Sequence, residues 1–173
     1  KPYFSEDKVL MGAFDVANKL FDIHFVERED LPKYRENIRS FEVKNDQEET
    51  IGIFYADYTL RPNKGGGAWM NTFRSQSKFD GNVIPLVVNV CNFPPENEDG
   101  VILLSFEQVE TLFHEFGHAL HGLLSEANYP SLSGTSVTRD YVEFPSQMME
   151  NWAREPEVIK SFARHYKTGE SIP

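Results

Sequence analysis

The sequence has a single cysteine, no long apolar run and fewer basic than acidic residues. Cys91 has no partner for an internal disulfide, which is typical of proteins from reducing compartments, so we expect a cytoplasmic protein. No stretch approaches the roughly 20 apolar residues that cross a bilayer, which argues against a membrane segment. Seventeen basic against 27 acidic residues give a net charge of -10, which argues against nucleic acid or an anionic membrane as a partner.

Both ends of the chain have the character of internal sequence. The chain begins at Lys1 without an initiator methionine or a signal peptide, and it stops at Pro173 shortly after a predicted helix. Its 173 residues are 40% apolar and 25% charged, close to the average of globular proteins. We therefore expect one fragment of a larger domain, with a helix and a sheet region in residues 1–100 and further helices in residues 101–173.

The spacing of apolar residues predicts an α+β fold. Ser5 can cap a first helix that extends to Phe21. Strands are predicted at residues 23–26, 41–44, 50–60 and 83–93, and we expect them to form a small antiparallel sheet. Pro85 predicts an edge position or a bulge for the last strand. The glycines at 65–67 form either a mobile substrate loop or a plain hairpin connector.

The second half of the chain contains the strongest helical signal. Ser105 and Gln108 form a capping-box pattern at its start. A broad apolar face follows at helical spacing, formed by Phe106, Val109, Leu112, Phe113, Phe116, Leu120, Leu123 and Leu124. Two further helices are predicted near residues 143–154 and 156–168.

The strongest predicted helix carries the motif His114-Glu115-Phe116-Gly117-His118. Two histidines four residues apart differ by about 40° around a helix axis, so both imidazoles can bind one ion. Glu115 then lies beside the position of an attacking water molecule. Gly117 lowers helix propensity by about 1 kcal/mol, which indicates that another segment approaches closely there.

A catalytic zinc site needs a third protein ligand, and two histidines with one glutamate are an established set. The downstream candidates are Glu126, Asp140, Glu143 and Glu150. Glu126 points away at the far end of the same helix, whereas Glu143 opens the next predicted helix after a turn-rich connection. Asp140 is the alternative by spacing alone. His121 lies roughly 10 Å along the axis from His114 and is more typical of a packing histidine.

Several segments of the chain resemble the thimet-oligopeptidase family of zinc metallopeptidases. The matching segments are LFHEFGHALH (residues 112–121), Ser133-Gly134-Thr135 and DYVEFPSQ (residues 140–147). Further matches at residues 66–71, 89–93 and 163–166 extend the resemblance over most of residues 55–173. Within the family, residues 139–147 and 150–152 resemble the bacterial peptidyl-dipeptidases most, ahead of the oligopeptidase A branch.

The resemblance implies a zincin-like catalytic-domain fragment that binds one zinc ion. It assigns His114, His118 and Glu143 to the three zinc ligands and Glu115 to the catalytic glutamate. It also implies that Ser133, Gly134 and Thr135 line the substrate cleft.

The activity implied by the resemblance is the hydrolysis of peptide bonds in short peptides. Release of C-terminal dipeptides is expected first, with internal cleavage or an incomplete, inactive domain as alternatives. The family also uses a tyrosine and a histidine from a later segment that has no match in this chain. We therefore expect the remainder of the parent catalytic domain to be a partner of this chain, and short peptides to be its substrates.

Overall fold

The computed structural model describes residues 1–173 and confirms the predicted α+β class. Its main elements, in chain order, are α1 (Glu6–Phe21), β1 (His24–Glu27), β2 (Arg39–Lys44), β3 (Thr50–Thr59), β4 (Trp69–Arg74), β5 (Leu86–Phe93), α2 (Phe106–Leu123), α3 (Phe144–Arg154) and α4 (Pro156–Phe162). The fourth helix is shorter than predicted, and a short 3-10 turn at Pro130–Leu132 interrupts the loop before α3. The expected division near residue 100 stays a prediction.

The five strands form a mixed sheet, so the prediction of an antiparallel sheet is wrong. The strand order is β1-β2-β3-β5-β4, and β5 runs parallel to β3 and antiparallel to β4. The glycines at 65–67 lead from β3 to β4, which are not neighbours, so the hairpin interpretation is also wrong. The physical reason is that β5 inserts between β3 and β4, a long-range pairing that local patterns do not encode.

Strand β5 lies inside the sheet, so the edge position expected from Pro85 is wrong, whereas the alternative of a bulge agrees with the register shift between Thr72 and Arg74, opposite the start of β5. The strand begins at Leu86 because Pro85 has no N–H to donate, although its carbonyl accepts a hydrogen bond from Ile53. The edge next to β5 is formed by β4, a strand that the sequence pattern did not predict, and β1 forms the other edge.

The main core lies between one face of the sheet and the helices. Phe54, Ala56 and Tyr58 of β3 belong to this core, whereas Ile53 and Tyr55 belong to a small cluster on the opposite face. The same alternation places Val87, Asn89 and Cys91 of β5 on the helix-facing side.

Helix α2 is fixed at its start by a cap and along its length by close contact with the sheet. The predicted capping box is present, since Ser105 Oγ accepts from the Gln108 N–H at 3.2 Å and Gln108 Oε1 accepts from the Ser105 N–H at 2.8 Å. Near the other end, a Cβ on Gly122 would lie 2.8 Å from Met70 Cε and 3.2 Å from Val87 Cγ2. The helix therefore lies directly on β4 and β5.

Candidate metal centre

Helices α2 and α3 bring together three side chains that could hold a metal ion: His114, His118 and Glu143. Glu143 Oε2 lies 3.2 Å from His114 Nε2 and 3.1 Å from His118 Nε2. Tetrahedral coordination with bonds of about 2.0–2.1 Å separates ligand atoms by about 3.4 Å, close to the observed spacing. The three groups therefore fit a tetrahedral ion with little movement.

The two histidines lie one helical turn apart on α2. Their ring centroids are 4.9 Å apart, and the rings are nearly perpendicular. The His118 side chain is 11% exposed and the His114 side chain 27%. Burial lowers the pKa of His118, which favours the neutral imidazole that binds metals.

Gly117 allows α3 to approach α2 closely, as the sequence predicted. A Cβ on Gly117 would lie 2.6 Å from Ser146 Cα and 2.7 Å from the Pro145 carbonyl oxygen. Both are backbone atoms, which cannot move aside cheaply. Ser146 Oγ in turn donates to the Glu143 carbonyl at 2.8 Å and lies 2.9 Å from Glu143 Oε2. The glycine therefore places Glu143 beside the histidines.

We expect Gly117→Ala to lower metal affinity by about tenfold or more, which is comparable with the effect of removing the hydrogen-bond partner of a metal ligand. The added methyl group pushes the start of α3 away, and overpacking of this kind costs about 1–3 kcal/mol. A gain of about 1 kcal/mol in helix propensity partly offsets this cost. Zinc affinity and thermal unfolding are the measurements. Gly66→Ala is the matched control, because no atom lies within 4 Å of its Cβ position; equal behaviour of the two variants would contradict this role of Gly117.

Glu150 contacts the other ring nitrogen of His114. Its Oε1 lies 2.5 Å from His114 Nδ1, so a proton on Nδ1 leaves Nε2 free for a metal. Glu150 is thus placed as a hydrogen-bond partner of His114, whereas the sequence analysis considered it only as a ligand. The sequence could have indicated this position, because Glu150 follows Glu143 by seven residues, and residues seven apart lie on the same face of a helix.

The other residues considered as ligands lie outside this cluster. Glu126 pairs with Lys78 at 3.2 Å, and Asp140 is exposed in the loop before α3. The ring of His121 lies 6.3 Å from that of Tyr141, and burial lowers the pKa of His121.

Glu115 lines a cleft of about 290 Å³ beside the cluster. The residue is 5% exposed. Burial raises the pKa of Glu115 to about 7, while His114 acts to lower it and Glu143 to raise it. A carboxyl group with a pKa near neutrality can both accept and donate a proton, which is the requirement for general acid–base chemistry.

The predicted substrate loop contributes one residue to the cleft, Thr135. Ser133 is buried, and its hydroxyl lies 3.1 Å from Ser125 Oγ. The Gly134 N–H donates to the same Ser125 oxygen at 3.0 Å, and a Cβ on Gly134 would lie 3.0 Å from Gly122 Cα. Ser133 and Gly134 therefore pack the loop against the C-terminal end of α2. Thr135 is the residue of this loop that lines the cleft.

The cleft is also lined by Ala68, Trp69 and Met70 at the start of β4. The sequence analysis assigned these residues no role in the site. Their position follows from β4 lying at the sheet edge, beside α2.

Comparisons with known proteins find relatives that match the whole length of this chain. The sequence model of peptidase family M3 matches residues 1–173. The chain is 45% identical over 174 residues to dipeptidyl carboxypeptidase of Escherichia coli, and 41% identical over 176 residues to oligopeptidase A of the same organism. Each match covers 100% of this chain but 25% and 26% of the respective relative. The chain thus spans about a quarter of the length of these relatives.

No helix of the structure is both long and apolar enough to cross a bilayer.

Proposed function

Because the chain belongs to peptidase family M3, we propose that it provides the zinc site of a metallopeptidase with a zincin-like active-site helix. His114, His118 and Glu143 bind one zinc ion, and Glu115 is the catalytic base. The observation that carries the proposal is the convergence of Glu143 Oε2 on both histidine Nε2 atoms, at 3.2 and 3.1 Å.

The donor set suits zinc, which favours nitrogen and carboxylate ligands in a tetrahedral arrangement. When bound, zinc lowers the pKa of a water ligand towards about 7 and polarises the carbonyl of the scissile bond. Glu150 keeps the His114 ring in the required tautomer and orientation.

Glu115 moves the proton in this proposal. Its carboxylate accepts a proton from the attacking water and then donates it to the nitrogen of the leaving amine as the peptide C–N bond breaks. In the metal-free fold, burial raises the pKa of Glu115 to about 7, and a carboxyl group whose affinity for protons is raised in this way is suited to both roles.

The substrates in this proposal are short peptides, from which C-terminal dipeptides are released. The similarity to dipeptidyl carboxypeptidase supports this mode, and the similarity to oligopeptidase A keeps internal cleavage as the second candidate. The rest of the parent catalytic domain is a required partner, because the chain spans about a quarter of these relatives. The cytoplasmic location stays a prediction.

The experiment is cleavage of one short peptide with a free or an amidated C-terminus by the full-length protein. Dipeptide release depends on recognition of the free carboxylate, so we expect cleavage of the amidated peptide to be at least about 100-fold slower, as when a charged partner is lost. Products are identified by mass spectrometry, with a metal-chelated sample as control. Equal cleavage of both peptides would favour internal cleavage, and no cleavage by zinc-loaded protein would favour the inactive domain.

A further inference from the structure

Two buried polar side chains that the proposed mechanism does not use lie on the helix-facing side of the sheet. Asn89 of β5 is fully buried, and Tyr58 of β3 is 4% exposed. The Tyr58 hydroxyl and both polar atoms of the Asn89 amide have no hydrogen-bond partner. Glu115 Oε2 is buried without a partner as well, although Glu115 lines the cleft.

The placement of α2 on the sheet brings Glu115 above these groups. Gly122 contacts Val87, and Glu115 lies on the same helix face about 10 Å closer to the N-terminus. Asn89 lies about 7 Å beyond Val87 along β5. Met70 is the register partner of Asn89 and lines the same cleft as Glu115. Asn89 therefore lies under the candidate base.

The electrostatics agree with this placement. Burial raises the pKa of Tyr58 well above its ordinary value, and the charges of Cys91, Glu6 and Glu115 raise it further. The Asn89 amide, which lies beside the hydroxyl without a well-formed hydrogen bond, lowers it. Burial also raises the pKa of the Cys91 thiol, and Glu115 is the largest charge contribution to that rise.

Donors and acceptors match across this region. An ionised carboxylate only accepts hydrogen bonds, whereas the tyrosine hydroxyl and the asparagine amide can donate them. A buried polar group without a hydrogen-bond partner lowers stability by about 1–3 kcal/mol. We therefore expect the Asn89 amide, which lies among apolar strand residues, to have a partner. Glu115 Oε2 is a buried acceptor that also lacks a partner, so it is the candidate acceptor for these donors.

We propose that Asn89 and Tyr58 are positioning residues for Glu115, which hold its inner oxygen Oε2 across one shared water molecule. This inference rests on the proposed role of Glu115. A polar site with two to four partners is the setting in which buried water is retained. With Oε2 fixed, the second oxygen of the carboxylate stays directed into the cleft, so the two residues act on proton transfer and leave substrate binding unchanged.

The test compares Tyr58→Phe and Asn89→Leu in the full-length protein with Tyr55→Phe, the same change as Tyr58→Phe on the opposite face of the sheet. We expect kcat to fall about tenfold or more in the first two variants, because a misplaced catalytic group is costly. KM and zinc content should stay within twofold. Both variants should stay folded, with a melting temperature within a few degrees of the parent, because each variant leaves Glu115 and the other residue as partners of the water. Tyr55→Phe should leave kcat unchanged.

A second readout is independent of activity. In high-resolution crystal structures, we expect one Glu115 conformer and a water between Tyr58 and Asn89 in the parent, and a reoriented Glu115 in Asn89→Leu. Parent-like kcat in both variants, or the parent Glu115 conformer in Asn89→Leu, would overturn the inference. If kcat falls only in variants whose melting temperature falls as well, the two residues have a merely structural role, and the inference is also overturned. An unmodified protein without zinc or cleavage would instead contradict the proposed function, and the Glu115 conformer would still decide the inference.

Discussion

Glu115→Gln in the full-length protein should lower kcat by about 100- to 10,000-fold, the usual contribution of a general acid–base group. Glutamine has nearly the same shape as glutamate but cannot accept the proton of the attacking water. Glu115 lies outside the group of three residues that could bind the metal, so zinc content should stay at the level of the unmodified protein. Peptide hydrolysis and zinc per chain are the two measurements.

The pH dependence of stability provides a check that Glu115→Gln is folded. Burial raises the pKa of Glu115 to about 7 in the metal-free fold, above the ordinary value of 4.5 for a glutamate. The folded state therefore binds more protons than the unfolded state between these values, and stability falls as the pH rises through this window. Glutamine does not titrate, so Glu115→Gln removes this decrease in stability. In metal-free protein the variant should match the parent in stability near pH 4 and exceed it above pH 7.

Glu107→Gln is the matched control for this experiment, because it makes the same change on the exposed first turn of α2. It should retain the activity and the zinc of the parent. If Glu115→Gln keeps normal turnover, the assignment of Glu115 as the base is wrong. If the variant loses zinc, its loss of activity has another cause.

Glu143→Gln should reduce zinc affinity more than any other single change of a carboxylate in this region. Glu143 Oε2 is the one carboxylate oxygen within 3.2 Å of both histidine Nε2 atoms, so the variant loses a coordination bond. Glu150→Gln should lower zinc affinity by about 10- to 100-fold, the usual effect of removing the hydrogen-bond partner of a metal-binding histidine. Zinc affinity is measured by competition with a chelating dye.

Asp140→Asn is the control for this series, because Asp140 is exposed and lies outside the cluster. It should bind zinc as the parent does. The order of the losses is the result that matters: a larger loss for Asp140→Asn or Glu150→Gln than for Glu143→Gln would contradict the assigned ligand set.

The parts of the fold that the sequence predicted are those that local patterns encode. Helix α2 follows from the capping box at Ser105 and the apolar spacing behind it. The antiparallel pairing of β2 with β3 follows from the β-prone segments at residues 41–44 and 50–60, which are close in sequence, and it is present. The close approach at Gly117 was also predictable, because an interior helical glycine has a cost that needs a reason.

The parts that could not be predicted depend on contacts between distant segments. No local signal shows that β5 inserts between β3 and β4, and this insertion places the start of β4 in the cleft wall. The distinction between Glu143 and Glu150 depends on how α3 is rotated against α2, which spacing alone leaves open. Asn89 did leave a signal, because one polar residue interrupts the helix-facing side of an apolar strand.

The most direct test of the central claim is a crystal structure of the full-length protein with anomalous diffraction recorded at the zinc absorption edge. We predict one strong peak per chain between His114 Nε2, His118 Nε2 and a Glu143 oxygen, at about 2.0–2.2 Å from each. No peak at this position in zinc-supplied protein, or a peak coordinated by Asp140 or Glu150 instead of Glu143, would contradict the account.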